Sequence, residues 1–168
     1  GPHVEKGGQA YVTRSVAPGS PATRTVKTCT EGAKASCSTL TDLHPDNPAV
    51  DFPDPNDPSV MLSVSDPDLL ESMIYWARGA DTQNEIGDKD GASLTRFRPS
   101  VHADVVHSQP VAYDYSRGVG TPEVAVFYGT NDGLLMAING NRTDKNGSFE
   151  PGQEFWSFMP PEFYGSVA

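Results

Sequence analysis

The sequence predicts a mainly β protein: a small antiparallel sheet and one short helix, preceded by a loop-rich N-terminal region. Three observations predict it. Glycine and proline are both plentiful, at 16 and 15 residues of 168, while apolar residues make up only 36%, so the core is modest and turns are many. Short runs of β-forming residues recur after position 100, separated by turn signals. One segment alone carries a convincing helical pattern. The chain divides into residues 1–60, a loop-rich region with a hairpin, and residues 61–168, which hold the helix, an acidic loop and the sheet.

Taken in order, Tyr11 to Val16 reads as a strand, and Pro18-Gly19-Ser20-Pro21 breaks it. Residues 23–40 alternate loosely and suit an exposed hairpin carrying both cysteines. The stretch DLHPDNPAVDFPDPNDP holds five prolines and five aspartates. Proline removes donors and fixes φ, so this is an irregular connector. Residues 66–79 predict the helix. Asp66 caps it, Pro67 suits its first turn, Leu69, Leu70, Met73, Ile74, Trp76 and Ala77 form its apolar face, and Gly79 stops it. Residues 80–100 read as a polar, acidic loop. Val101 to Tyr115 reads as one long strand or two short ones, with Pro110 at a break or edge. Glu123–Gly129, Leu134–Ile138 and Glu154–Met159 are further strands, the first two joined by a Thr130-Asn131-Asp132-Gly133 turn.

Net charge is −10. Such a surface repels phosphate backbones and anionic headgroups, which argues against nucleic acid as a partner. No apolar run approaches the roughly 20 residues that span a bilayer, so membrane insertion is not expected. Gly1-Pro2-His3 resembles the remnant left by a tag-cleaving protease, so a missing export signal says nothing about the natural protein. Cys29 and Cys37 flank a turn-like Glu31-Gly32-Ala33-Lys34. They read as a disulfide closing a small loop in an oxidising compartment, against the alternative of two unrelated thiols. Their spacing does not suit CxxC redox or zinc chemistry.

VFYGTNDGLLMAING followed by EFWSFMPPE resembles the quinoprotein-type β-propeller blade: a Gly-Thr-x-Asp-Gly turn, an apolar strand and a closing tryptophan. Gly133 takes the positive-φ turn position, Asp132 can bond its own backbone two residues on, and Trp156 is expected to pack flat between neighbouring sheets. HADVVHSQPVAYDY and MIYWARGAD resemble a strand and a helix end of the type IV pilus tip-associated adhesins of the PilC/PilY family. Together the four motifs cover about residues 60–163; residues 1–60 match nothing in that family. The resemblance implies a four-stranded antiparallel blade opening a C-terminal propeller, and an exported, non-catalytic protein of the pilus tip and outer membrane surface. It implies roles in pilus biogenesis and attachment, minor pilins and a surface or host-cell receptor as partners, and calcium in acidic loops. The chain departs from the family in carrying one recognisable blade. A propeller needs about four to eight, so either the chain is a truncated or proteolysed piece or the N-terminal region covers the blade.

Two loops have the alternating oxygen donors that calcium favours. Asp81, Asn84, Glu85, Asp88 and Asp90 crowd one, and Asp144, Asn146, Ser148 and Glu150 alternate along the other. Neither completes an EF-hand: Ala92 and Phe155 stand where ligands would be needed. A plain solvated loop is the competing reading for both. His102 and His107, five apart on an expected strand, would point to opposite faces and share no metal. His107 beside Ser108 lacks the elbow of a hydrolase. Two alternatives stand beside the adhesin reading: a fragment of a quinoprotein dehydrogenase, whose cofactor site needs several blades, and a periplasmic propeller scaffold for outer-membrane assembly.

Overall fold

The computed structural model describes residues 8–16, 19–29, 37, 39–47, 50, 66–87 and 89–167. The first of its two α-helices, α1 (Gly8–Ser15), stands where the sequence predicts a strand. Local β propensity is overridden by docking: helical spacing puts Ala10 and Thr13 on one face, both buried, and Gln9 Nε2 donates to Thr13 Oγ1 one turn on. A 3₁₀ turn at Pro21–Thr23 then leads into β1 (Val26–Cys29), which pairs antiparallel with β2 (Leu40–Asp42). Most of the proline-rich connector lies outside the described residues; Leu43 and Val50 at its start are buried in the core.

Helix α2 (Pro67–Ala77) forms as predicted. The Asp66 carboxylate accepts from the N–H groups of Asp68 and Leu69, satisfying donors the first turn leaves free. Gly79 stops the helix at φ 90°, and a Cβ there would meet the Val101 carbonyl oxygen at 2.9 Å. The expected acidic loop instead contains a small sheet, β3 (Ala80–Asp81) against β4 (Ser93–Phe97). Within the expected strand 101–115, only β5 (Val111–Asp114) is extended and paired, since Val101 is drawn into the packing under Gly79 and Pro110 falls just before β5. The remaining strands, β6 (Val124–Gly129), β7 (Leu135–Asn139) and β8 (Glu154–Phe158), lie within a residue or two of their predicted limits.

The main sheet has the order β2-β1-β8-β7-β6-β5. It has six strands and mixed direction, which corrects the expectation of a four-stranded antiparallel sheet. Successive pairs from β5 to β8 are antiparallel, but β1 adds to the outer edge of β8 in parallel, with Val26 beside Ser157 and Lys27 beside Phe158. Backbone bonds from Ser157 N–H to Thr25 and from Met159 N–H to Lys27, both 2.9 Å, secure that joint. Covering the β8 edge removes a raw row of donors and acceptors. Strand alternation places Val126, Tyr128, Met136 and Ile138 on one face, where they join Met73, Ile74, Ala77, Leu134 and Met159 in the core.

Candidate functional site

Three arginines fasten the sheet, helix α2 and the N-terminal segment into one body. Arg24 is buried and grips Glu154 through two nitrogens, at 2.9 and 3.0 Å. Its third nitrogen donates to the Arg78 carbonyl at 2.7 Å. Arg78, at the end of α2, donates to the carbonyls of Pro21, Leu43, Ala22 and Arg24 at 2.6–2.9 Å. Arg98 lies 3.8 Å over the Trp76 ring, donates to the Trp76 carbonyl and reaches Asp132. Cations beside the C-terminal carbonyls of a helix meet the negative end of its dipole. Burial, followed by repulsion from Arg24, pulls the Arg78 guanidinium down to about 10, and burial likewise lowers Arg98. Trp76-Ala77-Arg78-Gly79-Ala80-Asp81 was visible in the sequence, but this clamp was not.

The turn before β7 is built as a hub. Gly133 has φ 86°, as expected for this position, and a Cβ there would meet Phe163 at 2.3 Å. Asp132 does not bond its own backbone two residues on. It accepts from Ala103 N–H, Thr130 Oγ1 and Arg98, tying the turn to the segment after β4.

Asp81 is fully buried, and its carboxylate accepts from Glu85 N–H, Ile86 N–H and Arg96. Its oxygens therefore brace the loop and the β3–β4 sheet. Asn84 holds a left-handed turn at φ 55°, Glu85 lies 3.9 Å from Arg98, and Asp90 is exposed; Asp88 lies outside the described residues. In the second loop, Asn146 and Phe149 bond each other's backbones across Gly147 and Ser148, and Lys145 pairs with Glu150. Asp144 is exposed and accepts from Thr143 Oγ1. Among the described residues, no three His, Cys, Asp or Glu side chains gather as a cation site. In the first loop the Asp81 carboxylate is already engaged by Glu85, Ile86 and Arg96, and in the second Lys145 sits on Glu150.

His102 Nδ1 lies 2.7 Å from the Ala103 carbonyl and its Nε2 3.3 Å from the Tyr128 hydroxyl. Burial, then the nearby Glu154 charge, pushes that phenol above its usual range. His107 faces Asn131, while Ser108 Oγ accepts from Gly129 N–H, so the two do not bond as a catalytic pair. Cys29 and Cys37 form a disulfide with Cα atoms 5.4 Å apart, closing the hairpin loop after β1.

The feature that residue types alone did not reveal is the outer face of the main sheet. Residues opposite the core-facing set are Val111 and Tyr113 on β5, Phe127 on β6, Leu135 on β7, and Trp156 and Phe158 on β8. Val111 is 59% exposed and Tyr113 51%; Phe127, Trp156 and Phe158 are partly buried. The Phe127 and Trp156 rings lie 6.1 Å apart at 46°. Phe127 and Trp156 are half-buried on this face, and its exposed side chains are Val111, Tyr113 and Leu135. The summed alternation of these six strand positions could have shown this, had their pairing been known.

Fold and face together define a disulfide-bearing, mixed β-sheet protein, with one sheet face packed into the core and the other bearing Phe127, Trp156 and Phe158 beside the exposed Val111 and Tyr113. No family model matches the sequence, no curated protein matches it, and no solved structure matches the fold.

Proposed function

We propose that this chain is a non-catalytic binding and assembly module of a type IV pilus tip-associated adhesin, similar to the PilC/PilY family, working at the outer membrane surface and pilus tip. The outer face of the main sheet carries this reading. Contiguous apolar surface on a soluble chain marks a contact with another macromolecule, and a twisted sheet bearing Phe127, Leu135, Trp156 and Phe158 suits the face of another sheet. In this reading β5 to β8 form a propeller-type blade whose outer edge the N-terminal strand closes. The four motifs in family order support it, and the Cys29–Cys37 disulfide suits an exported protein. Minor pilins at the tip, and a surface or host-cell receptor, are the partners the reading names.

Calcium belongs to the proposal through the resemblance alone. It would have to displace Lys145 from Glu150 in the loop 144–150. Thermal melts with millimolar calcium and with chelator test it: a ligand of the folded state raises the melting temperature, and identical melts remove calcium from the reading. Function itself is tested by deleting the coding region in a piliated host and scoring surface pili and attachment. Loss of both, restored by the wild-type gene, is expected. Unchanged piliation and attachment would overturn the proposal.

A further inference from the structure

Among the described residues, the β5 edge of the sheet is unpaired. Natural edges are blunted by lysines, bulges or a covering segment, and at their ends by proline or a charge, as Pro110 and Asp114 are placed here. Between those ends strand β5 has no lysine, bulge or covering segment among the described residues: its register with β6 runs unbroken from Val111 to Asp114, its sequence is Val-Ala-Tyr-Asp, and Val111, Ala112, Tyr113 and Tyr115 are all exposed. The bonding direction can be fixed. Tyr115 N–H donates to the Glu123 carbonyl at 3.1 Å. Backbone groups alternate along an antiparallel strand, so those of Val111 and Tyr113 also face β6, while those of Ala112 and Asp114 face outward; the Asp114 carbonyl accepts from Arg117 N–H at 3.4 Å and keeps its second lone pair for a partner strand. Pro110, the next outward position, has no N–H to offer.

We infer that this edge pairs with the same edge of a second copy of the chain, antiparallel about a two-fold axis through Tyr113. Three symmetric registers align the outward groups. Centred on Ala112, the register sets Asp114 against Pro110 and loses bonds. Centred on Asp114, it sets two carboxylates face to face, which is unfavourable. Centred on Tyr113, it sets Ala112 against Asp114 twice over and keeps the carboxylates apart. In that register the two Tyr113 rings meet across the axis, and each Val111 faces a Tyr115, an aromatic–β-branched pair of the kind that stabilises sheets. The Tyr113 and Tyr115 rings already stack edge-on in each copy, 4.7 Å apart. The Asp114 carboxylate is turned to Ser116 and to Glu123 N–H; those hydrogen bonds, Ser116 first, hold its pKa down. The contact is isologous and closes on itself, so it gives dimers rather than fibres.

This pairing stands apart from the adhesin reading, because sheet stacking covers the face of Phe127 and Trp156 and leaves the β5 edge unpaired. Each copy carries a net charge of −10, so long-range repulsion opposes association and added salt should strengthen it. Sedimentation velocity on the whole chain, over a range of concentration and salt, should give a species of twice 18.0 kDa. Ala112→Pro removes one outward N–H per copy without touching a bond to β6, and should weaken the dimer about tenfold or more. Tyr113→Lys sets like charges across the axis and should do the same. Both variants should keep the wild-type circular dichroism and melting temperature. Tyr113→Cys should cross-link to itself on mild oxidation, since facing Cβ atoms lie about 4.5–5.5 Å apart. A monomer under every condition overturns the inference. So does a dimer that survives Ala112→Pro, or one abolished by Phe127→Lys and not by the edge variants, which would place the contact on the outer face.

Discussion

Replacing Arg78 by methionine should cost about 3–5 kcal/mol, because its guanidinium holds four separate backbone positions together. Methionine fills much of the stem volume, so little of the loss comes from a cavity. The carbonyls of Pro21, Ala22, Arg24 and Leu43 lose a charged donor at once, and while Pro21 and Arg24 keep the N–H groups of Arg24 and Val26, those of Ala22 and Leu43 bear the loss. Each buried acceptor left unpaired costs about 1–3 kcal/mol. Two effects offset part of the sum: the desolvation of Arg78 is recovered, and its repulsion from Arg24 disappears. Urea unfolding followed by circular dichroism measures the difference. Amide exchange adds a local signature: β1 and β2 should lose protection first, while β6 and β7 keep theirs. Arg78→Lys should fall between wild type and methionine, since an ammonium has three donors and no planar fork. A loss below about 1 kcal/mol for Arg78→Met, with unchanged exchange in β1, would refute the clamp.

Glu154→Gln should destabilise by about 3–5 kcal/mol, because it leaves the buried Arg24 charge without its counter-ion; a urea midpoint close to wild type would contradict a closed pair. Alkaline pH provides a third prediction. The Tyr128 phenol has its folded pKa raised above the ordinary 10.0, so the stability it contributes is complete below pH 10.0 and declines as pH climbs beyond it. Tyr128→Phe lacks that titration, so the stability gap between wild type and variant should shift in the variant's favour above that pH; a gap constant across the alkaline range would show that the phenol is not buried as described.

What the sequence disclosed was whatever short-range chemistry decides. Helix α2 was legible because Asp66, Pro67, the apolar stripe and Gly79 each act within a turn of their own position. The Thr130–Gly133 turn and strands β6 to β8 were legible for the same reason. The parallel joint of β1 with β8 was not, because alternation reports which face is apolar and is silent about a partner some 130 residues away. Helix α1 was misread for a related reason: Tyr11, Val12 and Thr13 favour strand locally, and only docking of Ala10 and Thr13 makes a helix the better state. Asp81 looked like a metal ligand in a string of acidic residues, yet its nearest demands are the N–H groups of Glu85 and Ile86 and the cation of Arg96. Arginine is rarely buried unpaired, and nothing local marks Arg24, Arg78 and Arg98 as interior. Arg78 alone carried a hint, as a cation in the last turn before a helix-stopping glycine.

The proposed assembly surface is the sheet face that carries Phe127, Trp156 and Phe158, and hydroxyl-radical footprinting read by mass spectrometry tests it most directly. Side-chain oxidation of Phe127, Trp156 and Phe158 would be compared between the free chain and pili sheared from a host that carries it, with the fully buried Leu134 and Met136 as internal references. Strong labelling of the three aromatics in the free chain, and protection of the same three in the pilus fraction, is the predicted result. Equal labelling in both states, or a pilus fraction that does not contain the chain, would contradict it.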